Sequence, residues 1–208
     1  MQIVIISDHP GASQLFGTSI SAEHTIVWLK EEEKDLLPAF DLLIDTCFER
    51  HPTQIEQYRT SAKPVLIGSV LFSLQELGVL NEPVARFNHW ATFMERTTVE
   101  YAVTDAQEEF FENLFRQLGL SFEKTKDVPG FVSARIVSLI INEAYLAAEE
   151  SVSTREEIDT AMKLGTNYPN GPFEWCNRIG QKNVYLLLQK LSATAHRYKP
   201  AASLKPEA

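Results

Sequence analysis

From Phe131 to Ala148 the chain is apolar on nearly every face that a helix would present. Phe131, Val132, Ile136, Val137, Leu139, Ile140, Ile141, Tyr145 and Leu146 all belong to this run. A helix apolar all round has to be covered on all sides. Arg135, Asn142 and Glu143 interrupt it, which makes it too polar for a membrane span. The run therefore predicts a central helix, covered partly by its own domain and partly by a second copy of the chain. Left bare on a monomer, the same face would be a large apolar patch.

Beyond Ala148 the chain is punctuated like a helical domain. Ser153-Thr154-Arg155-Glu156 reads as a capping box with Glu156 reaching back. Ile158 and Met162 stack one turn apart, and Gly165 suits the left-handed position that ends a helix. Tyr168 to Pro172 is a rigid turn, and Pro172 is placed to open the next helix. Val184, Leu187, Leu188 and Leu191 give one apolar face of a last helix. Lys199 to Ala208 is rich in Pro and Ala and reads as a loose tail.

The first half reads differently. Gln2–Ser7, His24–Leu29, Phe40–Phe48 and Pro64–Ser69 are short apolar runs, with helical composition at Thr53–Ala62. Further strands are predicted at Val84–Asn88, Val99–Val103 and Leu120–Glu123, with a helix over Ala106–Leu118 that Asp105 caps and Gly119 stops. Strands alternating with helices predict a parallel, doubly wound sheet. The expected architecture is thus α/β: a Rossmann-like parallel-sheet domain over 1–127, an all-α dimerisation domain over 128–198, and a tail over 199–208.

Composition removes several function classes. The net charge is −9 with no basic cluster, which argues against nucleic acid and against an anionic membrane surface. Any pocket for an anion must gather its few cations locally. Cys47 and Cys176 form no C-x-x-C pair, so neither a metal site nor a disulfide framework is indicated. The opening residues lack the charged region and length of a signal peptide, so a cytoplasmic protein is expected.

Asp159 to Gly165, Asn167-Tyr168-Pro169, Gly171-Pro172-Phe173-Glu174 and Ile179-Gly180 resemble, in order, the C-terminal helical domain of the 3-hydroxyacyl-CoA dehydrogenases. Pro129-Gly130-Phe131, Arg135 and Asn142-Glu143-Ala144 resemble that domain's first helix in spacing. The resemblance implies NAD-dependent interconversion of 3-hydroxyacyl-CoA and 3-oxoacyl-CoA, an acyl-CoA ligand and a homodimer formed by the helical domains.

The chemistry it implies is altered at several positions. A dinucleotide fold seats pyrophosphate on a G-x-G-x-x-G turn and the helix after it. Here Ser7 to Gln14 keeps Gly11 alone, Asp8 adds a negative charge, and the stretch to Glu23 leaves room for a stunted helix. Gly11 is the candidate cofactor-binding residue, or simply a turn glycine, and NAD binding is expected to be weak or lost. The family's general base is a histidine oriented by a carboxylate. If Phe87-Asn88 is the family's Phe-Asn pair, the base falls on Ala85; if the register slips, His89 takes the role with Glu100 as the carboxylate. Ser69, Ser73 and Asn88 are the candidate substrate-binding residues, while Val70, Leu71, Phe72 and Ala134 stand where the family has polar groups. The residues leave two readings: a dehydrogenase of this family, or a relative without that activity that binds acyl-CoA or regulates a partner as a dimer.

Overall fold

In the computed structural model, residues 1–20 and 23–206 are described, apart from the side chain of Asp35. The chain divides into two compact units, Met1–Phe131 and Val132–Ala208. The division falls beyond the boundary expected near Asp127.

The first unit is a seven-stranded sheet in the order β2-β1-β3-β4-β5-β6-β7. Its strands are β1 (Gln2–Ile6), β2 (Thr25–Leu29), β3 (Leu42–Asp45), β4 (Val65–Gly68), β5 (Val84–Phe87), β6 (Val99–Ala102) and β7 (Phe122–Lys124). All neighbours run parallel except β5 and β6. Side chains alternate between faces along a strand, and both faces are buried. Ile3, Ile5, Leu42, Ile44, Leu66, Ala85 and Phe87 join one core, whereas Val4, Ile6, Leu43, Val65, Ile67 and Val84 join the other. That double burial is why these strands read as continuous apolar runs.

The connections are α1 (Pro10–Ser19), α2 (Ile55–Ser61), α3 (Ala91–Met94) and α4 (Glu108–Leu118). Helix α1 has ten residues, so the stunted helix expected between Ser7 and Glu23 is instead nearly three turns long; Ser21 and Ala22 of that stretch lie outside the described residues. The link from β2 to β3 carries only a 3-10 segment, Glu31–Leu36. Asp105 does not cap α4. A 3-10 turn over Asp105–Gln107 precedes the helix, and Asp105 accepts from Lys124 Nζ at 2.9 Å. Gly119, at φ +69°, does end it.

The second unit holds α5 (Ser133–Glu149), α6 (Arg155–Thr166), α7 (Pro172–Ile179) and α8 (Gln181–Ser192). Helix α5 packs on α6, α7 and α8. The capping box lies one residue later than the sequence suggested. Thr154 Oγ1 accepts from Glu157 N at 3.2 Å, and Glu157, not Glu156, accepts from Thr154 N. Gly165 stays inside α6, and Asn167 takes the left-handed turn at φ +56°. Asp159 explains the spacing of the Gly171-Pro172-Phe173 motif: its carboxylate caps α7, accepting from Phe173 N at 2.8 Å and Glu174 N at 3.1 Å. A Cβ on Gly171 would lie 2.3 Å from that carboxylate, so only glycine admits the contact.

The segment expected as a loose tail is docked as far as it is described. Asn142 holds Lys199 O and Ala201 N, and Tyr198, Ala201 and Leu204 are buried. Glu207 and Ala208 lie outside the described residues. No helix among the described residues is long and apolar enough to cross a membrane.

Candidate functional site

The carboxyl ends of β1, β3, β4 and β5 bring Ser7–Gly11, Thr46–Arg50, Ser69–Leu71 and Asn88-His89 to one edge of the sheet. In open α/β sheets this edge is where ligands bind.

At the first turn, His9 is the N-cap of α1, and its Nδ1 accepts from Gly11 N at 2.9 Å. An amide that a phosphate would need is thus taken by an imidazole. A Cβ on Gly11 would lie 3.0 Å from that nitrogen, so the glycine serves the histidine cap. Asp8 turns away to a surface network: its Oδ1 accepts from Glu31 N at 3.1 Å and its Oδ2 from Arg50 Nη1 at 2.8 Å. Hydrogen bonds from the Glu31 amide hold its carboxyl below the usual range, with Arg50 adding to the effect. Arg50 also reaches Glu31, which His51 Nε2 approaches at 2.9 Å. The Asp8, Glu31 and Cys47 ligand atoms lie within 4.8 Å of one another, but the Arg50 guanidinium already balances both acids.

At the end of β5, adjacent residues point opposite ways. Asn88 is fully buried, and its Nδ2 donates to Glu100 Oε2 at 3.1 Å across to β6. His89 instead faces Glu49, Nε2 to Oε2 at 3.6 Å. The structure therefore corrects the expected pairing: His89 is not with Glu100, and the group that Glu100 holds is a carboxamide. Alternation at a strand end explains it, because neighbouring side chains leave on opposite faces. His89 lies close enough to β4 that a Cβ on Gly68 would come within 2.7 Å of it.

Glu49, just beyond the Phe40–Phe48 run, is the acid that His89 faces. Burial pushes its carboxyl up to about 7, against hydrogen bonds from Leu71 N and Val70 N and the Arg86 charge. Burial pushes the His89 imidazole down to about 3, helped by Arg50 and His9. His89 Nδ1 is buried without a hydrogen-bond partner. The raised carboxyl and the lowered imidazole put the pair's titratable proton on Glu49 and leave His89 neutral. Glu49 was findable in principle, as an acid directly after a buried strand-end run, Leu42 to Phe48.

Ser69 and Ser73 lie buried in the turns after β4. Ser69 Oγ donates to Phe72 O at 3.0 Å, and Ser73 Oγ donates to Glu76 Oε2 at 3.0 Å. Below them Arg86, fully buried, donates to Asp127 at 2.6 Å, Ser69 O at 3.1 Å and Val128 O at 2.8 Å, with Phe131 stacked 4.2 Å from its guanidinium.

Residues 130–206 match the family model for the 3-hydroxyacyl-CoA dehydrogenase C-terminal domain. The resemblance to the 3-hydroxyacyl-CoA dehydrogenases is borne out. The 3-hydroxyadipyl-CoA dehydrogenase of Escherichia coli K12 is 38% identical over 95 residues, 45% of this chain and 20% of that protein. The 3-hydroxybutyryl-CoA dehydrogenase of Bradyrhizobium diazoefficiens is 35% identical over 105 residues, 50% of this chain and 34% of that protein. The chain thus spans between 20% and 38% of the length of the curated relatives it matches. The crystal structure of (S)-3-hydroxybutyryl-CoA dehydrogenase from Ralstonia eutropha superposes with a TM-score of 0.75 at 19% identity, covering 98% of this chain and 91% of that one. At that identity the match speaks for the fold, a Rossmann-like sheet followed by helices.

Proposed function

We propose that this chain is a 3-hydroxyacyl-CoA dehydrogenase relative that retains an acyl-CoA-binding scaffold and has given up NAD-dependent hydride transfer. The observation that carries the reading is the Asn88–Glu100 pair. The family chemistry needs a base beside that carboxylate, and a carboxamide takes up no proton at neutral pH. The NAD seat supports it. His9 occupies the Gly11 amide, one glycine remains in the turn, and Asp8 is an ionised acid beside it. These residues do not suit a pyrophosphate. The helical unit supports a homodimer, because Val132 and Ile136 are 55% and 54% exposed on one side of α5.

The test mixes the protein with acetoacetyl-CoA and NADH and follows nicotinamide absorbance. No turnover, no heat on titrating NADH, and retained heat on titrating acetoacetyl-CoA are expected. Turnover well above that of a protein-free control would overturn the reading. One observation favours the active alternative: His89 does have a carboxylate partner, Glu49. Turnover abolished by His89→Ala would establish that alternative.

A further inference from the structure

The seven-stranded sheet ends on β2 at one side and on β7 at the other. An edge strand presents a row of unpaired N–H and C=O groups, which proteins blunt by shortness, charge, proline or a bulge. The β7 edge is blunted. It is three residues long, Phe122–Lys124, and carries Glu123 and Lys124, the latter tied to Asp105 and Glu108. The β2 edge has none of these devices. Its five residues, Thr-Ile-Val-Trp-Leu, are uncharged, hold no proline and follow β1 in unbroken register from Thr25 to Leu29. Trp28 is 39% exposed there, and Thr25 is exposed too.

The ends of β2 fix its hydrogen-bonding phase. Thr25 N donates to Met1 O at 3.0 Å, and Leu29 O accepts from Ser7 N at 3.0 Å. A strand bonds one neighbour through alternate residues, so Thr25, Val27 and Leu29 face β1 with their backbone groups. Ile26 and Trp28 therefore turn their N–H and C=O groups away from the sheet. The side chains alternate as well. Ile26 packs partly against one core, and Val27 and Leu29 partly against the other.

We propose that β2 pairs antiparallel with β2 of a second copy of this chain, centred on Val27, and merges the two sheets into one. The strand is complementary to itself in that register. Ile26 of one copy meets Trp28 of the other, so the outward N–H and C=O groups of both are exchanged as hydrogen bonds. The same register sets a β-branched side chain beside an aromatic one, a stabilising cross-strand pair, on either side of the two-fold axis. Val27 meets its own counterpart as a non-hydrogen-bonded pair, with Cα atoms roughly 4.5 Å apart. The flanking charges stay outside this contact: Lys30 falls opposite His24, and Glu31, which Arg50 and His51 already hold, falls opposite Glu23. A two-fold contact of this kind closes on itself. The merged sheet has a β7 edge at each end, short and charged, so strand pairing stops there. The contact is separate from the one assigned to α5, and it does not depend on what the carboxyl edge of the sheet binds.

Cysteine cross-linking of the full chain under a mild oxidant tests it, read on non-reducing gels. Cys47 and Cys176 are both buried, so the parent should stay unlinked. Val27→Cys should form a covalent dimer, because the separation of facing Cα atoms suits a disulfide. Thr25→Cys is the control. It is exposed but would face Leu29 of the other copy, so it should link slower by about tenfold or more. Chains carrying Ile26→Cys, mixed with chains carrying Trp28→Cys, should link faster than either does alone, which reads the register directly. Val27→Cys linking no faster than Thr25→Cys would overturn the proposal, and so would a mixture no faster than its components. A dimer held by the helical units alone gives those overturning results, so the two contacts are told apart.

Discussion

Glu100 Oε2 accepts from Asn88 Nδ2 at 3.1 Å, so the carboxylate expected to orient a base holds an amide instead. Asn88→His places an imidazole there. Burial of the site lowers the new histidine and the Glu100 carboxylate beside it raises it, so titration above the ordinary value near 6.5 is expected where the carboxylate outweighs the desolvation that dominates at His89. Imidazole resonances of the variant followed against pH check this. The variant should still fail to oxidise NADH with acetoacetyl-CoA, since His9 and Asp8 are untouched. A gain of turnover would mean that Asn88 alone had silenced the protein.

The Glu49–His89 pair makes a second prediction, in stability against pH. Glu49 is raised to about 7 in the folded state, so its contribution is lost as pH rises from its unfolded value of 4.5. His89 is depressed to about 3, so its contribution is lost as pH falls below 6.5. Between 4.5 and 6.5 the folded pair holds one proton on Glu49 while the unfolded chain holds one on His89, and the two slopes cancel. Glu49→Gln removes one slope. Relative to the parent, its stability should rise by about 1.4 kcal/mol per pH unit across that window. His89→Leu should show the opposite sign. Urea unfolding at a series of pH values measures both, and parallel curves for variant and parent would refute the two opposed shifts.

Strands β1, β3, β4 and β5 were legible because each is buried on both faces, which leaves a continuous apolar run with no alternation to misread, whereas the edge strands β2 and β7 hold no fully buried residue. Val184, Leu187, Leu188 and Leu191 were legible because they cover one helix face and are all buried. The cap at Thr154 was displaced by one residue because Ser153 and Thr154 both carry a hydroxyl and both have an acid three residues on. The end of α6 was misplaced because asparagine as well as glycine takes a left-handed turn, and Asn167 does so here. At the candidate site the reach of sequence stopped at direction. It found His89, Asn88 and Glu100, but which of two neighbours faces β6 depends on the strand's phase at its last residue. Arg50 and Glu49 come from the turn after β3, and nothing local in sequence ties them to Asp8 or His89.

Arg86 predicts the third outcome. Its guanidinium is wholly buried and holds Asp127, Ser69 O and Val128 O, so it fixes residues 127–131 to the turn after β4. Gly130 N donates to Val70 O at 2.7 Å in the same place. Breaking a buried pair by removing one partner costs about 3–5 kcal/mol. Arg86→Met should destabilise the sheet unit by that order. It should also speed tryptic cleavage after Lys124 and Lys126, as well as hydrogen exchange at the Gly130 amide. Exchange at Gly130 unchanged from the parent would show that the segment is held without the arginine.

Asn142 gives the fourth. Both ends of its side-chain amide are used on the returning segment, at Lys199 O and Ala201 N, and both backbone groups lie against α5. Leaving a buried donor and acceptor without partners costs about 1–3 kcal/mol each. Asn142→Leu keeps the volume of the side chain while removing both hydrogen bonds. It should therefore lower stability by about 2–6 kcal/mol in urea unfolding, and Ala201 N should exchange with solvent faster than the amides of α8. Asn142→Asp keeps the acceptor for Ala201 N but sets a carboxylate against Lys199 O. Its loss should shrink as pH falls and the carboxyl becomes a donor, a pH dependence that Asn142→Leu cannot share. If both variants lost the same stability at every pH, the segment would be held by Tyr198 and Leu204 burial rather than by the amide.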